Sequence, residues 1–526
     1  MSDTFFGDLL ASIADRGRSF LRLRRGTERA ESEGDLARLC EALLSGRGEA
    51  SGVALAGAIL AGYEALAPRA RLAFLHRLVD EFGCNHQRLG KAIDAYRADP
   101  GPKTVFDLHH AAEPRRQELI RRLNLAHGGT AALVRMREDL LRATKGGSDT
   151  AGRKLAGIDA DFVHLFSSWF NPGFLVLRPI DWSTPANILE KIIRYEAVHE
   201  IGTWDDLRDR LEPPDRRCFA FFHPQLVDEP LIFVEVALTE DIPGAIGELL
   251  AEDRVPISPG EATTAVFYSI SNCQEGLRGI SFGNFLIKQV VETLKRDFPR
   301  LSSFVTLSPA PGFARWLAGE RKAKDSMVLS DADQAALATL ETPDWPKSDF
   351  QAESVRGALL AAAAHYFLEA KSPSGRPLDP VARFHLGNGA RLERLNWPGD
   401  MSERGLREAH GLMVNYLYKL DHIEQNHEAF ATRNEVVASG QVRRLLRKPA
   451  NARNASRLWA RPQDASPVSR EPASQASTNQ VSTNQAPASQ GPEGQRPAGQ
   501  ESVEQEPAKQ KPNPGQNAVV NQAGSA

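Results

Sequence analysis

Cysteine is scarce in this chain of 526 residues: Cys40, Cys84, Cys218 and Cys273 are its four, scattered and with no CxxC pair. That pattern excludes a disulfide framework and a cysteine zinc site, and it fits free, mostly buried thiols in a reducing compartment. No apolar run approaches the roughly 18 residues that cross a bilayer, so no membrane span is expected. Asp3, Asp8 and Asp15 stand among the N-terminal apolar positions, which argues against a secretory or mitochondrial leader. The chain ends in Gly-Ser-Ala, not a Ser-Lys-Leu type of address, and the expected location is cytoplasmic. Charge of one sign is also lacking. Lys plus Arg total 64 against 67 for Asp plus Glu, a net charge of −3, so nothing draws the whole molecule to nucleic acid or anionic lipid. There is no GxSxG elbow, and His199-Glu200 opens an HExxH pattern that Thr203 fails to complete, so neither that hydrolase type nor a zincin is supported and no metal site is expected.

What the chain does have is length and apolar content, with 41% hydrophobic residues, enough for more than one domain. From about Leu36 to Arg142 apolar residues recur at helical spacing. Leu75, Leu78, Val79 and Phe82 form one stripe ended by Gly83. Leu119, Ile120 and Leu123 form another, and Leu133, Met136, Leu140 and Leu141 a third ended by Gly146 and Gly147. Residues 1–150 therefore read as an all-α bundle for packing or oligomerisation, with His109-His110 and Arg115-Arg116 as solvated helix faces.

The pattern changes over residues 151–448. A helix from about Asp161 ends at Asn171-Pro172-Gly173, and FLVLRPI reads as a strand. An amphipathic helix carrying Ile188, Leu189, Ile192 and Ile193 follows Pro185. CFAFFHPQ and PLIFVEVAL flank the turn Val227-Asp228-Glu229 as an antiparallel hairpin, and TTAVFYSIS is the next strand. A helix from Asn284 to Arg296 and a strand from Ser303 to Leu307 complete a βαβ-like unit, giving an α+β fold: a mixed sheet with helices on its faces. From 449 onward composition collapses, with no aromatic, Leu or Ile after Trp459 and the direct repeat ASTNQ-VSTNQ, so the tail is expected to be disordered.

Two strings carry the chemistry. Leu277 to Lys288 reads LRGISFGNFLIK, a turn over Arg278, Gly279, Ile280, Ser281, Phe282, Gly283 and Asn284 that opens a helix. Backbone N–H groups at a helix N-terminus suit a phosphate. Thr306 to Leu317 reads TLSPAPGFARWL, which leaves Ser308 at the carboxyl end of a strand. Together they suggest a pyrophosphate cradle with a hydroxyl on the neighbouring strand, an acyl-CoA site. Ser308 before Pro309 also reads as a helix N-cap, and both roles can hold at once.

The order of glycine turn, helix, strand and short helix resembles the amine N-acetyltransferase superfamily (GNAT), although Ser281 stands where a glycine is common. More specifically, NCQEGLRGISFGNFLIK, TLSPAPGFARWL, DPVARFHLGNGARLERLNW and GLMVNYLY resemble the malonyl-CoA decarboxylase family, from about Phe162 to about Tyr418. The resemblance implies malonyl-CoA as partner, and His385 and Ser308 as the catalytic pair, with Asn388 and Tyr418 in matching strings as possible pocket residues. It also implies a homo-oligomer, a dimer or tetramer through the helical region. Loss of CO2 from a β-carboxy thioester leaves an enolate that the thioester carbonyl itself stabilises, so no cofactor is required. The protein must supply a dry pocket, donors to the enolate oxygen and an acid for the carbon. His385, read on a strand-like run that turns at Gly387-Asn388-Gly389, is expected to hold its proton near neutral pH and give it to that carbon. An N-acyltransferase and a non-catalytic acyl-CoA sensor are the other readings. The first needs an acceptor cleft and a base that the sequence does not identify, and the second is disfavoured by the retention of Ser308 and His385.

Overall fold

The computed structural model describes residues 32–447 except 47, 145–149, 281–284, 324–325 and 343–344. The expectations for Gly146 and Gly147, for Ser281, Phe282, Gly283 and Asn284, and for the tail from 449 fall outside the described residues.

Among the described residues the chain begins with helices α1 (Glu33–Leu44), α2 (Glu49–Ala65), α3 (Pro68–Asp80), α4 (His86–Ala98), α5 (Pro102–Ala112), α6 (Arg115–Leu123), α7 (Gly129–Thr144) and α8 (Thr150–Trp169). Their starts follow local chemistry. The Ser32 and Asn85 side chains accept backbone N–H groups at the heads of α1 and α4, and Pro68 and Pro102 occupy the first turns of α3 and α5. The apolar stripes face inward: Phe74, Leu75 and Leu78 on α3, Leu119, Ile120 and Leu123 on α6, Leu133, Met136 and Leu140 on α7. Each such side chain contributes about 1.5–3 kcal/mol on burial. Arg116 is not a solvated face: its Nε donates to the buried Asp161 of α8, tying two helices together, while Arg115 beside it stays exposed. The hairpin of α4 and α5 stands apart in character, with no buried residue on α4 and only Ala111 on α5.

The remainder is a sheet with helices between its strands. In chain order these are β1 (Val176–Ile180), α9 (Ala186–Tyr195), α10 (Trp204–Leu211), β2 (Arg216–Phe222), β3 (Pro230–Thr239), α11 (Ile246–Leu250), β4 (Thr264–Asn272), α12 (Phe285–Asp297), β5 (Ser303–Thr306) and β6 (Ser308–Pro309). They continue with α13 (Phe313–Lys322), α14 (Asp331–Leu337), α15 (Asp349–Leu368), α16 (Pro380–Gly387), β7 (Arg391–Asn396), α17 (Glu403–Ala409), β8 (Met413–Leu417), α18 (Ile423–Arg433) and α19 (Gly440–Leu445). Strand order is β1-β2-β3-β4-β5-β8-β6, with β7 on β8. The hairpin of β2 and β3 is antiparallel as expected, and β4 runs parallel to β5 across the α12 crossover. Both faces of the sheet are covered, which is why its strands read as continuous apolar runs: Phe219 and Phe221 of β2 enter one hydrophobic cluster, and Cys218, Ala220 and Phe222 another.

One feature of this sheet makes room for a site. Parallel pairing of β4 with β5 stops at Phe267 opposite Thr306, while β4 runs on to Asn272. Beyond that point β5 meets β8 through a single ladder pair, Val305 with Leu417, and β6 pairs with β8 at Ser308 opposite Val414. The ladder between β4 and β5 thus ends at Phe267 and Thr306, and β4 continues alone beside β3 to Asn272. The result is the mixed α+β sheet with helices on its faces that was expected.

Candidate active site

Ser308 lies on β6 and is buried, its Oγ 3.2 Å from Nε2 of His385. It does not cap a helix. The following helix α13 starts only after Gly312, and Ser308 Oγ–H donates to Thr306 Oγ1 at 2.9 Å, so the N-cap expectation is corrected. The prolines at 309 and 311 keep the chain extended between the serine and the helix.

His385 is not on a strand. It sits in the last turn of α16, whose start follows local chemistry: the Asp379 carboxylate accepts from the Ala382 N–H at 2.8 Å and Pro380 occupies the first turn. The helix closes on Asn388, whose N–H reaches the His385 carbonyl at 3.1 Å, and Gly389 takes a φ of 82° that favours glycine. Helical geometry aims the imidazole into the sheet, where it is 3% exposed. Tyr418 completes the arrangement: its hydroxyl lies 2.8 Å from His385 Nδ1. The ring of Tyr416 stacks on the imidazole, 4.7 Å between centroids and 25° between planes. Neither Tyr416 nor Thr306 was singled out by the sequence, although both lie in the strings quoted there.

Burial pushes the His385 pKa down to about 3, because its surroundings of aromatic rings and hydroxyls disfavour a charge. The free site therefore holds a neutral imidazole, not the protonated one expected. Burial likewise raises the Tyr418 phenol well above its ordinary value.

Asn388 is buried with its amide donating to the Phe384 carbonyl at 2.7 Å. Together with Phe384 and Gly387 of the helix that carries His385 it forms part of the wall of a cleft of about 1120 Å³; neither His385 nor Ser308 is itself in that wall. The same cleft is lined by Arg278, Gly279 and Ile280 and by Asn272 and Cys273 at the end of β4. Three of the seven expected cradle residues are thus in its wall, and the other four are those outside the described residues. Gly279 takes a φ of 82°, and the preceding carbonyls of Gly276 and Arg278 are held by Nη1 of Arg137, at 2.7 and 2.9 Å. Arg137 is a buried residue of α7, and its Nε is paired with Asp159 at 2.8 Å. No sequence signal pointed to it, since an arginine inside an amphipathic stripe reads as exposed. A second cavity of about 570 Å³, between Gly244 and Trp397, is lined neither by Arg278–Ile280 nor by any residue of α16.

A mixed sheet, a cleft lined by Arg278, Gly279 and Ile280, and a buried serine–histidine pair beside Tyr418 are the features of an enzyme site. The family model for the malonyl-CoA decarboxylase C-terminal domain matches residues 173–456, and that for its N-terminal domain residues 82–170. The chain belongs to the malonyl-CoA decarboxylase family. It is 35% identical over 412 residues to the mitochondrial malonyl-CoA decarboxylase of Anser anser anser, covering 72% of this chain and 80% of that one. Crystal structures of malonyl-CoA decarboxylase from Rhodopseudomonas palustris and Agrobacterium vitis each share 61% identity and a TM-score of 0.75 with it. They cover 78% and 79% of this chain, and 99% and 100% of their own.

Proposed function

We propose that this protein converts malonyl-CoA to acetyl-CoA and CO2, with Ser308 and His385 as the reacting pair. The observation that carries the assignment of residues is the 3.2 Å approach of Ser308 to His385, whose helix gives Phe384 and Gly387 to the wall of the cleft that Arg278–Ile280 lines. CoA pyrophosphate would meet the amides of the 278–284 turn, and the thioester would run along the gap between β4 and β5 toward Ser308. The breaking carbon–carbon bond delivers its electron pair to the thioester carbonyl, which serves as the electron sink, so the step needs no cofactor. The enolate carbon then takes a proton. Since the free imidazole is neutral, the substrate's own carboxylate supplies the charge that raises its pKa, and the site takes up with substrate the proton that the reaction consumes. Ser308 holds the malonyl group against Nε2, Tyr418 holds the other ring nitrogen, and Asn388 shapes the wall.

The chain is also proposed to self-associate through its helical region, residues 1–150, with residues 151–448 as the catalytic part and 449–526 as a tail without a catalytic role. The exposed Tyr96, Val105 and Phe106 on the α4–α5 hairpin support an assembly surface there. Among the described residues no helix is long and apolar enough to cross a membrane, and the scattered thiols fit the cytoplasm proposed as its location. Turnover assays with malonyl-CoA and no amine test the activity: release of acetyl-CoA and CO2 is expected, whereas a strict requirement for an amine acceptor would make the protein an acyltransferase. No turnover at all would favour an acyl-CoA sensor.

A further inference from the structure

A neutral imidazole has one N–H, and which nitrogen carries it decides what the Ser308–His385 pair can do. The two ring nitrogens face hydroxyls, Tyr418 at Nδ1 and Ser308 at Nε2, and either hydroxyl could give or receive. The choice is made by a residue that touches neither the cleft nor the imidazole.

Thr306 is fully buried at the end of β5 and is clamped from β8. Asn415 Nδ2 donates to its carbonyl at 2.8 Å and the Tyr416 N–H donates to its Oγ1 at 3.1 Å, bonds that stand in for the ladder lost where β5 and β8 separate. Its Oγ1 is thereby fixed 2.9 Å from Ser308 and receives the serine's only hydroxyl proton. A serine that has given its proton to Thr306 can only accept from His385, so Nε2 carries the hydrogen. Nδ1 is then the lone pair, and it accepts from the Tyr418 hydroxyl. Four side chains fall into one directed chain: Tyr418 to His385, His385 to Ser308, Ser308 to Thr306.

We propose that Thr306 is a positioning residue that sets the proton direction of the Ser308–His385 pair, holding the imidazole as the Nε2–H tautomer with its hydrogen aimed at the serine. This rests on the reading of Ser308 and His385 as the reacting residues. The direction has a consequence for the chemistry. Had Ser308 donated to the imidazole, as a nucleophilic serine does to its base, the serine would be primed to attack the thioester. With the direction reversed, the hydroxyl of Ser308 faces an N–H donor and is kept from acylation, and the proton given to the enolate carbon is the one the imidazole takes up with substrate, its loss returning the ring to the neutral form. Without Thr306 Oγ1, the Ser308 proton turns to Nε2 and the tautomer flips to Nδ1–H.

The test begins on the unaltered full chain with ¹⁵N-labelled histidine, assigning His385 by comparison with His385→Ala. Nitrogen shifts of an Nε2–H imidazole are expected, and an Nδ1–H imidazole would overturn the proposal without any change at Thr306. The near-isosteric Thr306→Val should then move His385 to the Nδ1–H form and lower kcat by about tenfold or more, with KM for malonyl-CoA within about twofold. Thr306→Ser, which keeps the acceptor, should restore both the tautomer and kcat. A Thr306→Val enzyme that turns over normally, or that slows with its tautomer unchanged, would reduce Thr306 to a packing role. Ser308→Ala and His385→Ala are assayed in parallel: if those two retain turnover, the catalytic pair itself has been misassigned, whatever Thr306 does.

Discussion

Arg137, on a helix of the N-terminal region, holds the carbonyl of Gly276 at 2.7 Å on the approach to the turn at Arg278–Ile280. The fit is close: a Cβ on Gly276 would lie 2.1 Å from the Val134 carbonyl of the same helix. Nη1 of Arg137 draws the carbonyls of Gly276 and Arg278 toward α7, while the N–H groups of Leu277, Arg278 and Ile280 close the turn on the carbonyls of Gln274, Glu275 and Leu277. The helical region therefore does more than pack or oligomerise, because it sets the backbone of the turn.

Arg137→Met should accordingly raise KM for malonyl-CoA several-fold while changing kcat much less. One buried carbonyl and one partly buried carbonyl lose their donor, which costs about 1–3 kcal/mol, so the melting temperature should fall as well. Steady-state kinetics and a thermal melt on the one variant check both parts. An unchanged KM with a lowered melting temperature would leave Arg137 a purely structural residue.

Gly279 separates backbone from charge. Its φ of 82° is strained for any other residue, yet nothing lies within 4 Å of a Cβ placed there. Gly279→Ala should cost about 1 kcal/mol of stability with a modest rise in KM, whereas Gly279→Asp, which adds a negative charge beside the phosphates, should raise KM far more. Equal KM values for the two variants would mean that the pyrophosphate binds elsewhere.

For the reacting pair, His385→Ala is expected to lower kcat by roughly 10²-fold or more, the usual worth of general acid catalysis. CoA affinity should hardly change, since His385 is not among the residues that line the cleft. Tyr418→Phe should be milder, about tenfold in kcat, because the imidazole stays in place and loses only the partner at Nδ1. Ser308→Ala should reduce kcat strongly with little loss of helix stability, since the serine caps nothing. A comparison of kcat and melting temperature across the three variants checks the ranking.

Acid should destabilise the fold through the same histidine. The ordinary pKa near 6.5 is depressed to about 3 in the folded protein, so unfolding takes up a proton between those values. Stability is fully present above pH 6.5, falls as pH drops below it, and stops falling near pH 3. The slope is about 1.4 kcal/mol per pH unit for one such group at its steepest. His199 and His410, both held near 4 by burial, add to the effect in the same direction. Denaturant melts of the wild-type chain and His385→Asn at pH 7 and pH 5.5 should show a smaller acid loss in the variant. Equal losses would place the imidazole in a wetter environment than the structure gives it.

The sequence alone determined the class of fold, the succession of strands from Val176 to Thr306 and the strings that carry Ser308, His385 and Tyr418. These are legible because they rest on local physics: period-two and period-3.6 patterns, proline and glycine at turns, and motifs short enough to be read as words. The tertiary structure decided what local physics leaves open. His385 lies in an apolar run too short to declare its period, and only the cap at Asp379 and the packing against Tyr416 make it helical. Whether Ser308 caps a helix or faces a histidine depends on which strand it joins, a choice made by β8 from more distant sequence. The imidazole's neutrality follows from burial by residues scattered along the chain, and Arg137 became part of the site because two regions share one core. No window of sequence contains those distances, and it is the distances that set charge, tautomer and reach.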